Sequence, residues 1–220
     1  MRLELSCPVR CSDEPFGDLA DVVIDPNRRS VTHLVVEPHR QHALARLVPL
    51  DLVAAEAGSH PAVELRCTID DVRRLPPAQD FAYVLLGERL RADPEADSGI
   101  ETVLAYPSYE PSGLGGLAGD LDAHYTMTYD RIPKGEIELR RKSPVFADDG
   151  HQLGHVCAFH VDADARITHV IFEVGHVLRR REVTIPAGAT ARLATDSITL
   201  DMTRRAVRAF PTAPARGWRA

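Results

Sequence analysis

VTHLVVE, running from Val31 to Glu37, and ITHVIFE, running from Ile167 to Glu173, are one seven-residue phrase written twice in this chain of 220 residues. Thr32, His33 and Glu37 recur as Thr168, His169 and Glu173, and every other position keeps an apolar residue. The likeness extends outward at a spacing near 136 residues. Upstream, Leu3-Glu4-Leu5 matches Ile137-Glu138-Leu139, Pro8-Val9 matches Pro144-Val145, Asp13 matches Asp149, Gly17 matches Gly154, and Asp25 matches Asp162. Downstream, Pro49 matches Pro186, Leu65 matches Leu200, and Thr68, Val72, Arg73 and Pro76 match Thr203, Val207, Arg208 and Pro211 in order. Each copy spans roughly 75 residues, too long for a solenoid repeat and at the low end for a domain that stands alone. The expected organisation is a first domain over 1–76, a connecting region over 77–134, a second domain over 135–211 and a tail over 212–220.

Apolar, β-branched runs at Leu19–Asp25 and Ser30–Glu37 flank the turn-forming Pro26-Asn27-Arg28-Arg29, which predicts a hairpin. The second copy repeats it with Val156–Val161 and Ile167–Val174 around Asp162-Ala163-Asp164-Ala165-Arg166, and the matched Asp162 and Ile167 stand one residue closer than Asp25 and Val31. Short strands are expected at Leu47–Leu50 and Val63–Cys67, and at Val183–Ile185 and Ser197–Leu200. Thr68-Ile69-Asp70-Asp71 has the form of a helix N-cap with acids in the first turn, so a short helix is expected before Pro76, and another before Pro211. Five or six short antiparallel strands in so few residues are best buried by closing on themselves. The predicted fold class is mainly β: two small antiparallel barrels related by internal duplication, each closed by a short helix.

Composition narrows the function. Hydrophobic residues make up 44% of the chain and its formal net charge is -6, so phosphate backbones and anionic membrane surfaces repel the molecule as a whole. The best apolar run, Phe81 to Leu86, is far short of the roughly 20 residues of a membrane helix, and Met1-Arg2-Leu3-Glu4-Leu5 lacks an apolar signal region. With four scattered cysteines, a reducing cytoplasmic location without membrane contact is expected.

Gly150-x-x-Leu153-Gly154-x-Val156, a strand ending at Asp162, the ITHVIFE strand, the Val183–Pro186 segment and the closing helix resemble the PRC-barrel family. That family's barrel occurs in the photosynthetic reaction-centre H subunit, and a related one in the 16S rRNA processing factor. The resemblance covers both repeats, and the second copy is the closer match. The tandem arrangement, RIPKGEIELRRKSPVF at Arg131–Phe146 and REVTIP at Arg181–Pro186 look like two-barrel proteins of actinobacteria, a bacterial group for which the resemblance implies no activity. The chain has no membrane helix like the H subunit's and no recognisable N-terminal domain of the processing factor, so neither role transfers directly.

Candidate chemistry is sparse. Cys7 and Cys11 have the spacing of half a metal site, but the second copy carries Ser143 and Ala147 there, so packing residues or free thiols are expected. His151, His155 and His160 cannot converge from one regular strand, because 151 and 155 share a face and 160 points away. His33 and His169 recur at one strand position and are expected to make a shared structural hydrogen bond or symmetry-related contacts between the barrels. Gly113–Gly119 lacks the Lys and Ser/Thr of a phosphate loop and is expected as a connector. Arg140-Arg141-Lys142, Arg179-Arg180-Arg181, and Arg204-Arg205 with Arg208 either blunt strand edges or form a phosphate or acidic-partner patch. The Gly/Pro/Tyr-rich middle holds Tyr83, Tyr106, Tyr109, Tyr125 and Tyr129; such rings either make a contact loop or pin the region onto the barrels.

No nucleophile, base and orienting group stand at readable spacing, and no metal or cofactor is expected. The function expected is a non-enzymatic adaptor for a protein partner, with Tyr106, Tyr109, Tyr125, Tyr129, Arg179 and Arg180 as contact candidates and a second copy of the chain among possible partners. The alternatives are a factor in ribosome or RNA maturation that touches rRNA, and a small-ligand carrier or enzyme.

Overall fold

The computed structural model describes residues 1–38, 44–54, 62–85, 104–106, 124–175 and 180–214. The chain is mainly β. The first hairpin pairs β3 (Pro15–Asp25) with β4 (Ser30–Glu37), beginning four residues before the expected Leu19. Its turn follows from Asp25, whose Oδ1 accepts from the backbone N–H of Asn27 at 2.8 Å and of Arg28 at 3.2 Å. The second hairpin pairs β12 (Gln152–Val161) with β13 (Ile167–Val174), and Asp162 Oδ1 accepts from the N–H of Asp164 and of Arg166, each at 2.9 Å.

Around the first hairpin lie β2 (Pro8–Arg10), β5 (Arg46–Pro49) and β6 (Val63–Glu64), giving the order β5-β4-β3-β2-β6 with β2 and β6 parallel. Around the second lie β11 (Pro144–Phe146), β14 (Arg181–Pro186) and β16 (Ser197–Leu200), in the order β14-β13-β12-β11-β16 with β11 and β16 parallel. The second path goes on to β15 (Thr190–Ala194) beside β16 and β17 (Thr212–Pro214) beside β14. What was expected to be a tail thus begins as a strand. Both sheets are mixed, antiparallel apart from one parallel pair. Neither hydrogen-bonded path closes into a barrel among the described strands. At the corner after β14, a 3-10 turn at Ala187–Ala189 leads on to β15. The corner after β5 is a 3-10 turn at Leu50–Leu52, and Val53 beyond it bridges Leu65. Expected ladder closure gives way to two covalent corners.

The expected helices are α1 (Ile69–Arg74) and α2 (Arg204–Val207). Thr68 caps α1 through a reciprocal box with Asp71, and Thr203 Oγ1 accepts from the Ala206 N–H at 3.2 Å. Val72 and Val207 are buried. The Thr68 hydrogen bonds, before any other cause, hold the Asp71 carboxyl below its ordinary value of 3.8. A depressed carboxyl stabilises the fold in full above its unfolded-state value and loses that contribution as the pH falls through the lower folded-state value. Asp71→Asn should therefore lower the melting temperature at neutral pH, and the gap from wild type should vanish in melts taken well below pH 3.8.

The first strand of each half crosses to the other half. β1 (Arg2–Glu4) pairs with β12, placing Leu3 opposite Phe159. β10 (Ile137–Arg140) pairs with β3, placing Leu139 opposite Val22. Phe159 and Val22 each lie five residues beyond Gly154 and Gly17, so Leu3 holds the place of Leu139, not of Ile137 as the sequence match has it. A two-residue slip keeps every side chain on its own face, so the apolar pattern alone does not detect it. Charge distinguishes the two strands. Arg140 lies opposite the buried Asp21, whereas Glu4 lies opposite Ala158, which is Asp21's counterpart. Were β1 in the first sheet, Glu4 would face Asp21, a destabilising like-charge pair.

One hydrophobic cluster runs through both halves, from Leu3 and Val9 to Ile198 and Val207. The connecting region is not simply a linker. It contains β7 (Gln79–Leu85), β8 (Leu104–Tyr106) and β9 (His124–Asp130), an antiparallel sheet in the order β7-β9-β8. No helix among the described residues is long and apolar enough to cross a membrane.

Candidate functional site

The tips of the two hairpins meet. The Val31 N–H donates to the Ala165 carbonyl at 2.8 Å, the Ile167 N–H donates to the Arg29 carbonyl at 2.9 Å, and Ser30 bridges Arg166 between them. Each bond is the other's reciprocal, as at the contact of two like surfaces. The turns end in a left-handed residue, Arg29 at φ 53° and Ala165 at φ 63°. These two residues are equivalent by backbone conformation and by hydrogen bonding.

Their side chains differ, and so do the clefts beside them. Arg29 reaches across to the corner after β14, where its two Nη atoms donate to the carbonyls of Ala187 at 3.0 Å and Thr190 at 2.9 Å. Ala165 reaches nothing. Beside it, the corner after β5 borders a cleft of about 490 Å³ lined by Leu50, Asp51, Val53, Ala54, Arg66, Met1, Asp162, Ala163 and Ala165. Leu50 and Val53 hold the places of Ala187 and Thr190, since each pair starts and caps its 3-10 turn after a proline.

The histidines form a second feature. His33 Nδ1 lies 3.1 Å from Thr32 Oγ1, and His169 Nδ1 lies 3.1 Å from Thr168 Oγ1. Each threonine Oγ1 also lies near a carbonyl of the neighbouring strand, 3.3 Å from that of Val23 and 3.2 Å from that of His160. Beyond that the two sites part. Thr32 Oγ1 hydrogen-bonds Glu136, with His33 3.8 Å from the same carboxylate, whereas His169 meets the His160 ring edge-on at 5.9 Å. Burial first, and then the charges of Arg2 and His169, lowers the pKa of His160 below the ordinary imidazole value. His151 pairs with Asp149 and His155 with Gln152 Nε2, so the three nearby histidines are engaged separately.

The cysteines are poor nucleophiles. Burial pushes Cys7 and Cys157 up to about 12, with Glu4 adding to the first and Glu182 to the second, and it pushes Cys11 to about 11. Cys67 is raised less, again chiefly by burial. In the native protein at neutral pH, alkylation followed by peptide mass spectrometry should modify Cys67 first and leave Cys7 and Cys157 unmodified until denaturant is added. Early labelling of Cys157 would contradict the buried setting. Among the described residues, no group of three His, Cys, Asp or Glu could hold a metal ion.

Of the contact candidates, Arg180 donates to Glu173 at 3.1 Å, and Arg141 approaches the same carboxylate at 3.5 Å. Tyr106 lies in β8, and Tyr125 and Tyr129 lie in β9. Tyr109, Arg179 and the Gly113–Gly119 stretch lie outside the described residues. The cleft was missed, although a signal existed: Arg29 and Ala165 each stand two residues before the repeated phrase. No protein-family model matches this chain, and no curated protein matches it.

Proposed function

We propose that this chain is a duplicated pair of PRC-type units and works as a non-enzymatic adaptor for a protein partner. The observation that carries this reading is the reciprocity of the halves. Equal strand orders, exchanged first strands and mirrored hydrogen bonds at the hairpin tips lock both units through one shared core. Such a body presents surfaces in fixed relation, which suits recognition. One difference between the copies falls at the rim, where one corner is filled by Arg29 and the other borders an open cleft. The raised thiol pKa values also weigh against nucleophilic chemistry at neutral pH.

The test is affinity purification of the full chain from native lysate, with and without nuclease, followed by reconstitution with the purified candidate. The expected result is a reproducible protein that survives nuclease and forms a stoichiometric complex in reconstitution. Retention abolished by nuclease and steeply weakened by salt would favour RNA contact instead, and overturn the reading. Failure of every captured protein to reconstitute would overturn it too.

A further inference from the structure

We infer that the cleft beside Ala165 is a binding site for an alkylguanidinium group, as an arginine side chain of a second protein presents it. The chain supplies its own precedent. At the equivalent corner, Arg29 lays a guanidinium against two carbonyl oxygens, those of Ala187 and Thr190. The corner at Leu50–Leu52 repeats that backbone, with Pro49 before it and the Val53 N–H donating to the Leu50 carbonyl at 3.0 Å. What is missing is the side chain. Ala165 stands where Arg29 stands, in the same left-handed conformation, and the space is a cleft of about 490 Å³.

The chemistry of the occupant follows from the acceptors. Two carbonyls arranged as those of Ala187 and Thr190, which one guanidinium reaches with both Nη atoms, suit that fixed fork better than a compact ammonium, and they offer nothing to an anion. Asp51, where the filled corner has Gly188, adds a carboxylate to the lining, and Asp162 adds another. Arg66 and Met1 also line the cleft, so its charges are mixed and the carbonyl pair carries the selectivity. The adaptor reading supplies only the source of the arginine; the cleft itself is tested with no partner present.

The probes are ethylguanidinium and acetyl-arginine-methylamide, each titrated at low millimolar concentration into the full chain while backbone amide shifts are followed by NMR. Saturable shifts at Val53, Ala54 and Ala165 are expected with both, at a Kd of about 1 mM or tighter, and ethylammonium should bind at least about tenfold more weakly. Saturation by acetyl-arginine-methylamide alone would assign the site to peptide-borne arginine, and saturation by ethylguanidinium alone would restrict it to free alkylguanidinium and remove the second protein as source. Ala165→Arg should abolish binding and raise the melting temperature, because it installs the contact Arg29 already makes. Arg66→Ala should tighten binding several-fold. In Arg29→Ala, ethylguanidinium should bind two sites instead of one and recover part of the lost melting temperature. Shifts that stay linear, or that persist unchanged in Ala165→Arg, would overturn the inference. A saturable site with no reconstituted protein partner would leave it standing and sink the adaptor reading instead.

Discussion

Arg140→Glu is expected to unfold the protein at markedly lower temperature than wild type. Arg140 sits on the strand that crosses from the second half into the first, and it faces three acids. Its Nη2 lies 2.9 Å from Glu138, its Nε lies 3.5 Å from Asp196, and its register partner is Asp21. Glu138 and Asp21 are only 4% and 5% exposed, so neither can turn to water when the cation is lost. Removing one member of a buried pair costs about 3–5 kcal/mol. The Arg140 side chain is 39% exposed, which screens part of the interaction and places the expected loss near about 3 kcal/mol. For a chain of this size that is a fall of roughly 6–12 °C in melting temperature. Asp21→Asn in the Arg140→Glu background should recover part of it, since the two positions share a ladder and so couple. A melt within a degree or two of wild type would show that the crossing strand is not held by charge.

The same strand shows where sequence reasoning stops. Hairpins, turns and helix caps were legible, because each is set within a few residues: Asp25 and Asp162 dictate their turns, and Thr68 and Thr203 their helix starts. The pairing of Val31–Glu37 and Ile167–Val174 with their neighbours was legible for the same reason. The crossing of β1 and β10 was not. Leu3 and Leu139 are apolar in either sheet, and a strand of three or four residues carries too few side chains for periodicity to choose its partner. The choice lies in Asp21 and Ala158, one charged and one small, and it becomes readable only once the ladders are known. The cleft shows the limit for sites. Likeness drew notice to His33 and His169, which recur, whereas the informative pair, Arg29 and Ala165, is one that differs. The corner carbonyls that give this difference meaning are backbone atoms, and no side chain in the sequence announces them.

Gly154→Ala and Gly17→Ala, two matched substitutions, should both be damaging and by similar amounts. A Cβ at Gly154 would sit 2.0 Å from the Glu173 carbonyl oxygen, and one at Gly17 would sit 2.0 Å from that of Glu37. Neither glycine adopts a positive φ, so the obstacle is contact with a facing main chain and not torsional strain. A flexible side chain could move aside, but a carbonyl in a strand moves only with its ladder. Overpacking a core costs about 1–3 kcal/mol. With backbone as the obstacle the upper end applies, offset by about 0.4–1 kcal/mol from the stiffer unfolded chain. Beyond that carbonyl the surroundings differ in detail, with the Pro38 Cα 2.8 Å from a Cβ at Gly17 and the Phe172 ring 3.4 Å from one at Gly154. We therefore expect a loss of about 2 kcal/mol for each variant, read as urea midpoints at constant slope. A Gly17→Ala or Gly154→Ala protein as stable as wild type would mean that its hairpin opens there without cost.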